Sequence, residues 1–229
     1  MPSQEQVAAN LPHVFKEKYP STYVIIDGTE IFLETPSDLQ MQSSTWSEYK
    51  HHNTSKSLIG CTPNGAVCFV SPLYVGSISD VELTRVSGFI QSLPTSHDTK
   101  ISIMADKGFT IRDQLRAVGV DLNIPSFVTG GKQLTEAEIL HTRKIASVRI
   151  HVERAIGRIK NFAILKGNLP LSMARLANQI VCVCAWLTCF QPSLVPPPQN
   201  DDADSDVESY FDALDDSDYD ADESDREDD

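Results

Sequence analysis

Cysteine is scarce in this chain. Five occur among 229 residues, with no C-x-x-C pair and no histidine pair at zinc-ligand spacing. A disulfide scaffold and a zinc module are therefore excluded. Cys61, Cys68, Cys182, Cys184 and Cys189 lie on apolar runs and read as reduced core residues of an intracellular protein. Long hydrophobic runs are missing as well. The longest, Ile180 to Phe190, has 11 residues, short of the roughly 20 that a spanning helix needs, so it reads as a buried helix and no membrane association is expected. The N-terminal stretch MPSQEQVAANLPHVFKEKYP has no apolar core of the kind a signal peptide carries, and no internal repeat is visible.

Positive charge looks deficient, with 19 Lys and Arg against 32 Asp and Glu and a net charge of −13. The deficit is local. Residues 201–229 hold 16 acids and one base, Arg226, a balance of −15, which leaves 18 bases and 16 acids, or +2, in residues 1–200. The acidic balance therefore does not exclude a nucleic-acid partner for the body of the chain. The tail has only Tyr210, Phe211, Leu214 and Tyr219 as large apolar residues, too few to bury a core, and reads as disordered. Solvation, binding of basic partners such as histones, or competition with DNA for the basic helix would each suit it. Its serines Ser205, Ser209, Ser217 and Ser224 stand beside acids, a weak match to acidic-directed kinase sites.

A folded region at residues 22–191 is expected between an N-terminal extension, 1–21, and a Pro-containing linker with the acidic tail, 192–229. YVIIDGTEIFLE (residues 23–34) predicts a buried strand, and residues 35–53 a polar surface loop carrying Trp46, Tyr49 and Lys50. Two apolar runs flank Pro63-Asn64-Gly65, a hairpin signal. Ser79-Asp80-Val81-Glu82 has the capping-box form and predicts a helix to about Leu93, which assigns Asp80 to the helix start. KISIMA (100–105) and LNIPSF (122–127) predict short strands, with a helix from Arg112 to Val118 between them and Gly130-Gly131 as a break. A long helix is predicted over 135–161 and a final one over 172–190, before Pro196-Pro197-Pro198. This order predicts an α/β fold with a mixed sheet flanked by helices, of ribonuclease-H type if the first and fourth strands are parallel neighbours.

Two acids sit where a carboxylate is costly: Asp27 inside an apolar strand and Asp106 at the end of another. Each could cap a strand or pair with a lysine, but together they could line a ligand cleft at one sheet edge. Helix geometry supplies a third. With Arg149 at 0° and about 100° per residue, Glu153 falls near 40° and Lys160 near 20°, while Ile145, Val148, Val152 and Ile159 form the buried stripe beside them. Arg143, Arg154 and Arg158 fall on the outward side. An ordinary surface pair of Arg149 with Glu153 fits the same spacing. Between His141 and Lys166 there are seven bases and only Glu153 as an acid, which suits either phosphate binding or a solvated basic face.

YVIIDGTEIF, YKHHNTSKSLIGCTPNG, GSISD, MADKGF and QLTEAEILHTRKIASVRIHVERAIGRIK occur in an order and spacing that resemble the DDE endonuclease domain of PIF/Harbinger-type transposases and the host proteins derived from them. The resemblance covers about residues 22–175. It implies a ribonuclease-H-like fold, DNA strand cleavage, and Asp27, Asp106 and Glu153 as catalytic acids that hold a divalent metal cation, Mg2+ or Mn2+. Arg149, Glu153 and Lys160 also fall on the R, E and K of the Y-R-E-K pattern of related insertion elements, with Ala146 at the Tyr position. Lys107, Arg149, Arg154, Arg158 and Lys160 are the expected contacts to DNA phosphates. The expected compartment is the nucleus. A separate DNA-binding partner protein is expected for targeting, because no helix-turn-helix or zinc-binding module precedes residue 22.

Other candidates carry less. Glu30 is three positions from Asp27 and so faces the other side of the sheet. His151-Val152-Glu153 imitates a deaminase H-x-E but lacks the P-C-x-x-C partner. His51-His52 reads as a surface pair, and the sequon Asn53-Thr54-Ser55 as idle. Two functions remain: a metal-dependent nuclease, or a domesticated or truncated, catalytically inactive DNA- or chromatin-binding protein.

Overall fold

The computed structural model describes residues 1–94, 100–125 and 136–195. The tail, the kinase-type serines, Gly130-Gly131, the proline run and the side chains of Arg143, Lys144 and Ala146 fall outside the described parts. The central strand β1 (Thr22–Phe32) pairs antiparallel with β3 (His52–Cys61) on one side and parallel with β6 (Ser102–Met104) on the other, and β7 (Asp121–Asn123) continues the parallel half. The outer edge of β3 is shared by β2 (Trp46–Ser47), β5 (Tyr74–Val75) and β4 (Val67–Val70). The first and fourth predicted strands are thus parallel neighbours, and the fold is the mixed, ribonuclease-H-like α/β sheet expected.

Alternation along β1 sorts its side chains onto two faces. Ile25 and Ile31 join the core shared with Met104 and with Ile145, Val148, Val152, Ile156 and Ile159 of the long helix α7 (Glu136–Lys160). Val24 and Ile26 join a second core, on the opposite face, with Ile103, Leu83 and Phe89. Two N-terminal helices, α1 (Gln4–Ala9) and α2 (His13–Lys18), close the ends of these cores, with Phe15 fully buried.

The hairpin turn forms as predicted, with Gly65 at φ 86° and Thr62 N donating to Ala66 O. Three expectations about element bounds are corrected. Residues 35–53 are not one loop: Asp38 caps helix α3 (Leu39–Thr45) by accepting from Met41 N, and β2 follows. The helix predicted to Leu93 breaks into α4 (Asp80–Val86) and α5 (Phe89–Ser92), because Gly88 takes a left-handed conformation at φ 78°. The predicted helix 172–190 is a 3-10 turn (Leu171–Leu176), α8 (Ala177–Leu187) and a second 3-10 turn. Nor is α8 a fully buried helix. Val181, Cys184 and Ala185 pack inward, while Val183, Trp186, Leu187 and Phe190 are exposed. Leu171–Phe190 is long and apolar enough, by length and composition, to cross a membrane, but its inward face belongs to the α7 core. Cys189 is exposed, unlike the buried Cys61, Cys68 and Cys184.

Candidate active site

Register brings the first two acids together. Ile25 pairs with Met104 in the parallel β1/β6 ladder, and both point into the α7 core. Asp27 stands two residues further along β1, so parity aims it toward α7, and Asp106 lies two residues past Met104, just beyond the end of β6, where its bond from Arg149 shows that it too faces α7. β1 also has an antiparallel neighbour on its other side, so the acids lie where the sheet changes direction. Clefts of α/β sheets open at such points.

The third acid arrives from α7. Arg149 reaches across from the helix and donates through Nη1 to Asp106 Oδ1 at 3.1 Å and through Nη2 to Glu153 Oε1 at 2.8 Å. The Arg149 side chain is only 12% exposed, whereas Asp106 and Glu153 keep 41% and 52% of their side-chain surface open. Its Nε is buried without a hydrogen-bond partner. A single guanidinium therefore ties the end of β6 to the exposed acid on the helix. The surface-pair reading of Arg149 with Glu153 holds geometrically, but Asp106 makes it a three-residue bridge.

Asp27 is the most buried of the three acids. Burial pushes its carboxyl up to about 6, and the nearby charges of Glu153 and Asp80 push the same way. Arg149 and a hydrogen bond from Gly28 N to Asp27 Oδ1, at 2.8 Å, act against them without cancelling the rise. Lys160 is half-buried, and burial together with the Lys50 charge lowers its pKa, while Glu30 and Asp27 oppose that shift. Asp106 Oδ1 also accepts from Lys107 N at 2.7 Å, and Lys107 itself is exposed.

The remaining predicted bases are placed differently. Arg154 is half-buried beside His151, whose ring burial drives its pKa down to about 4. Arg158 donates to Pro192 O at 2.6 Å, so it is engaged with the chain beyond α8. Glu30 faces the other side of the sheet, as its parity predicts. It accepts from Thr54 Oγ1 at 2.7 Å and lines a separate cleft with Trp46, Tyr49 and Lys56. Asn53 is buried and donates to Gln42 O and Thr45 Oγ1, so the sequon is closed to modification.

Asp80 is not the helix cap. Ser79 caps α4 by accepting from Glu82 N, and Glu82 pairs with Arg85. The Asp80 carboxylate turns instead to Lys56 Nζ at 2.8 Å. Sequence spacing does not show that pair, because Lys56 is 24 residues away on β3.

The chemistry of the donors suits a divalent cation. Asp27, Asp106 and Glu153 offer carboxylate oxygen alone, the preference of hard ions such as Mg2+ and Mn2+. The Asp27 carboxyl, raised by burial and by its acidic neighbours, is a site where positive charge would be stabilising. Among the described residues, no group of three or more His, Cys, Asp or Glu side chains forms a ready-made metal site. Arg149 supplies the positive charge between two of the carboxylates.

Strand order, register and a facing helix that carries an acid define a ribonuclease-H-like domain with a carboxylate-lined edge. Residues 26–188, well over half of the chain, match the family described as DDE superfamily endonuclease, and the chain belongs to that family. No curated protein and no solved structure gives a significant match.

Proposed function

We propose that this chain is a PIF/Harbinger-type, transposase-derived endonuclease domain that cleaves DNA phosphodiester bonds in the nucleus with a divalent metal. The observation that carries the reading is the bridge from Arg149 to Asp106 and Glu153, facing the side of the sheet from which Asp27 projects. Asp27, Asp106 and Glu153 would hold Mg2+ or Mn2+. When bound, such ions lower the pKa of an attacking water and stabilise the leaving oxygen. Arg149 would then exchange Asp106 and Glu153 for a phosphate oxygen, keeping its charge satisfied. The exposed Lys107 and the half-buried Lys160 flank the acids and would fix the DNA backbone. Arg154 and Arg158 stand on another side of α7 from Glu153 and would contribute to duplex affinity only. A separate DNA-binding protein would supply sequence choice, and histones are the natural basic partners for the tail.

One observation favours the second reading, a binding module without cleavage. Arg149 already pairs with two of the three carboxylates, so part of their charge is compensated without a metal. Calorimetric titration with Mn2+ separates the two. The nuclease reading expects binding by the wild type and its loss in Asp27→Asn, together with Mn2+-dependent nicking of duplex DNA. No binding and no nicking would leave the binding module.

A further inference from the structure

The far face of the sheet, directly behind the acids, holds a contact that no capping role explains. Asp80, at the start of α4, pairs through Oδ1 with Lys56 of β3 at 2.8 Å. The same carboxylate lies against the backbones that carry the two strand acids. A Cβ on Gly28, the residue after Asp27, would stand 2.9 Å from Asp80 Oδ1 and 3.0 Å from Lys56 Cε. A Cβ on Gly108, two residues after Asp106, would stand 3.1 Å from Asp80 Oδ2. Each carboxylate oxygen thus rests on one glycine. β6 ends at Met104, so no ladder hydrogen bond holds the Asp106–Gly108 turn to β1. The Asp80 carboxylate is what spans that split. Its side chain is 32% exposed and that of Lys56 13%, so the pair is largely shielded from water.

We infer that Asp80 is a positioning residue, a wedge tethered by Lys56 that sets the spacing between the Asp27 strand and the Asp106 turn. The inference rests on the nuclease reading above. A Cβ at position 108 would press on the wedge, so that the Asp80 carboxylate would have to give by a few tenths of an ångström. Gly108 has no left-handed φ, so alanine is compatible with its backbone and its only close neighbour is Asp80.

The test is Mn2+ titration of the full chain as wild type, Asp80→Ala, Asp80→Asn and Gly108→Ala, with thermal melting of each to establish that it folds. Loss of the wedge should weaken Mn2+ binding by about 10- to 100-fold, the usual cost of removing a group that orients metal ligands. Asp80→Asn keeps the shape and can still accept from Lys56, so it should recover most of the affinity that Asp80→Ala loses. Gly108→Ala should weaken binding in the wild-type background and add nothing further in the Asp80→Ala background, where its Cβ meets no carboxylate. Folded Asp80→Ala with wild-type Mn2+ affinity, or additive effects of the two substitutions, would overturn the inference and leave the nuclease reading intact. Wild type that binds no Mn2+ would sink that reading and the inference with it.

Discussion

Arg149 donates to Asp106 across 43 residues of sequence, so a cation on α7 is the tie between that helix and the end of β6. Replacing it tests what the tie does. Arg149→Met should lower stability in metal-free buffer by about 1 kcal/mol, because both carboxylates are partly solvated and screened. It should also tighten Mn2+ binding severalfold, since a competing positive charge is gone, and yet slow nicking through loss of a phosphate contact. Denaturant melts in chelator and calorimetry with Mn2+ measure the first two effects. Weaker Mn2+ binding would show that Arg149 helps to build the site rather than to fill it.

Asp27 gives a pH signature. Its carboxyl is raised from an ordinary value of 3.8 to about 6. A raised acid favours the protonated form in the folded state. Its contribution to stability is therefore full below the unfolded value and is lost as pH rises through about 6. In metal-free buffer the neutral Asp27→Asn should be more stable than wild type at pH 7, by about 3 kcal/mol, with the gap closing toward pH 4. Saturating Mn2+ should stabilise only the wild type. Unfolding curves from pH 4 to pH 8 decide the matter, and a gap independent of pH would refute the burial account.

The acidic tail gives an electrostatic prediction from charge alone. With +2 on residues 1–200 and −15 on 201–229, deletion of the tail should strengthen non-specific duplex binding and steepen its fall with salt. Fluorescence anisotropy across a salt series reads both. Equal affinity for the full and shortened chains at every salt concentration would reject competition between tail and DNA.

Strong local signals made much of this fold legible. The apolar run of β1, the Pro63-Asn64-Gly65 turn and the 3.6-residue repeat of Ile145, Val148, Val152, Ile156 and Ile159 each dictate one element, and those elements form close to the predicted bounds. α3 escaped because it is only seven residues long and buries only Thr45, so LQMQSST shows no apolar stripe even though Leu, Gln and Met are good helix formers; Asp38 at its start was a capping sign. Composition overstated the burial of α8, since apolarity alone does not say whether both faces find a partner. In the site, Asp27 and Asp106 were legible as costly charges on apolar elements, and Glu153 from its place on the helix wheel. The bridge through Arg149 and the Lys56–Asp80 pair were not, because tertiary register alone brings residues 106 and 149, or 56 and 80, into contact. The outward arginines show the same limit. A helix wheel orients Arg158 but cannot foresee the Pro192 carbonyl that receives it.

Two substitutions on either side of the acid cluster separate cleavage from binding. Glu153→Gln keeps the size of the side chain and can still accept from Arg149, but it removes a charge that a divalent ion needs. It should abolish Mn2+-dependent nicking and leave duplex affinity unchanged or raised, because one repulsive charge near the phosphates is gone. Lys107 is exposed beside Asp106, and among the described residues its side chain makes no hydrogen bond or ion pair, so Lys107→Ala should do the reverse. It should reduce the slope of log affinity against log salt by about one, the signature of a single lost phosphate contact, and leave Mn2+ affinity as it was. Arg158→Ala should change the salt slope less, because its guanidinium is already engaged with Pro192. If wild type, Glu153→Gln and Lys107→Ala all bind duplex alike and none nicks it with Mn2+, the carboxylates serve an ion-paired scaffold and the chain is a binding module.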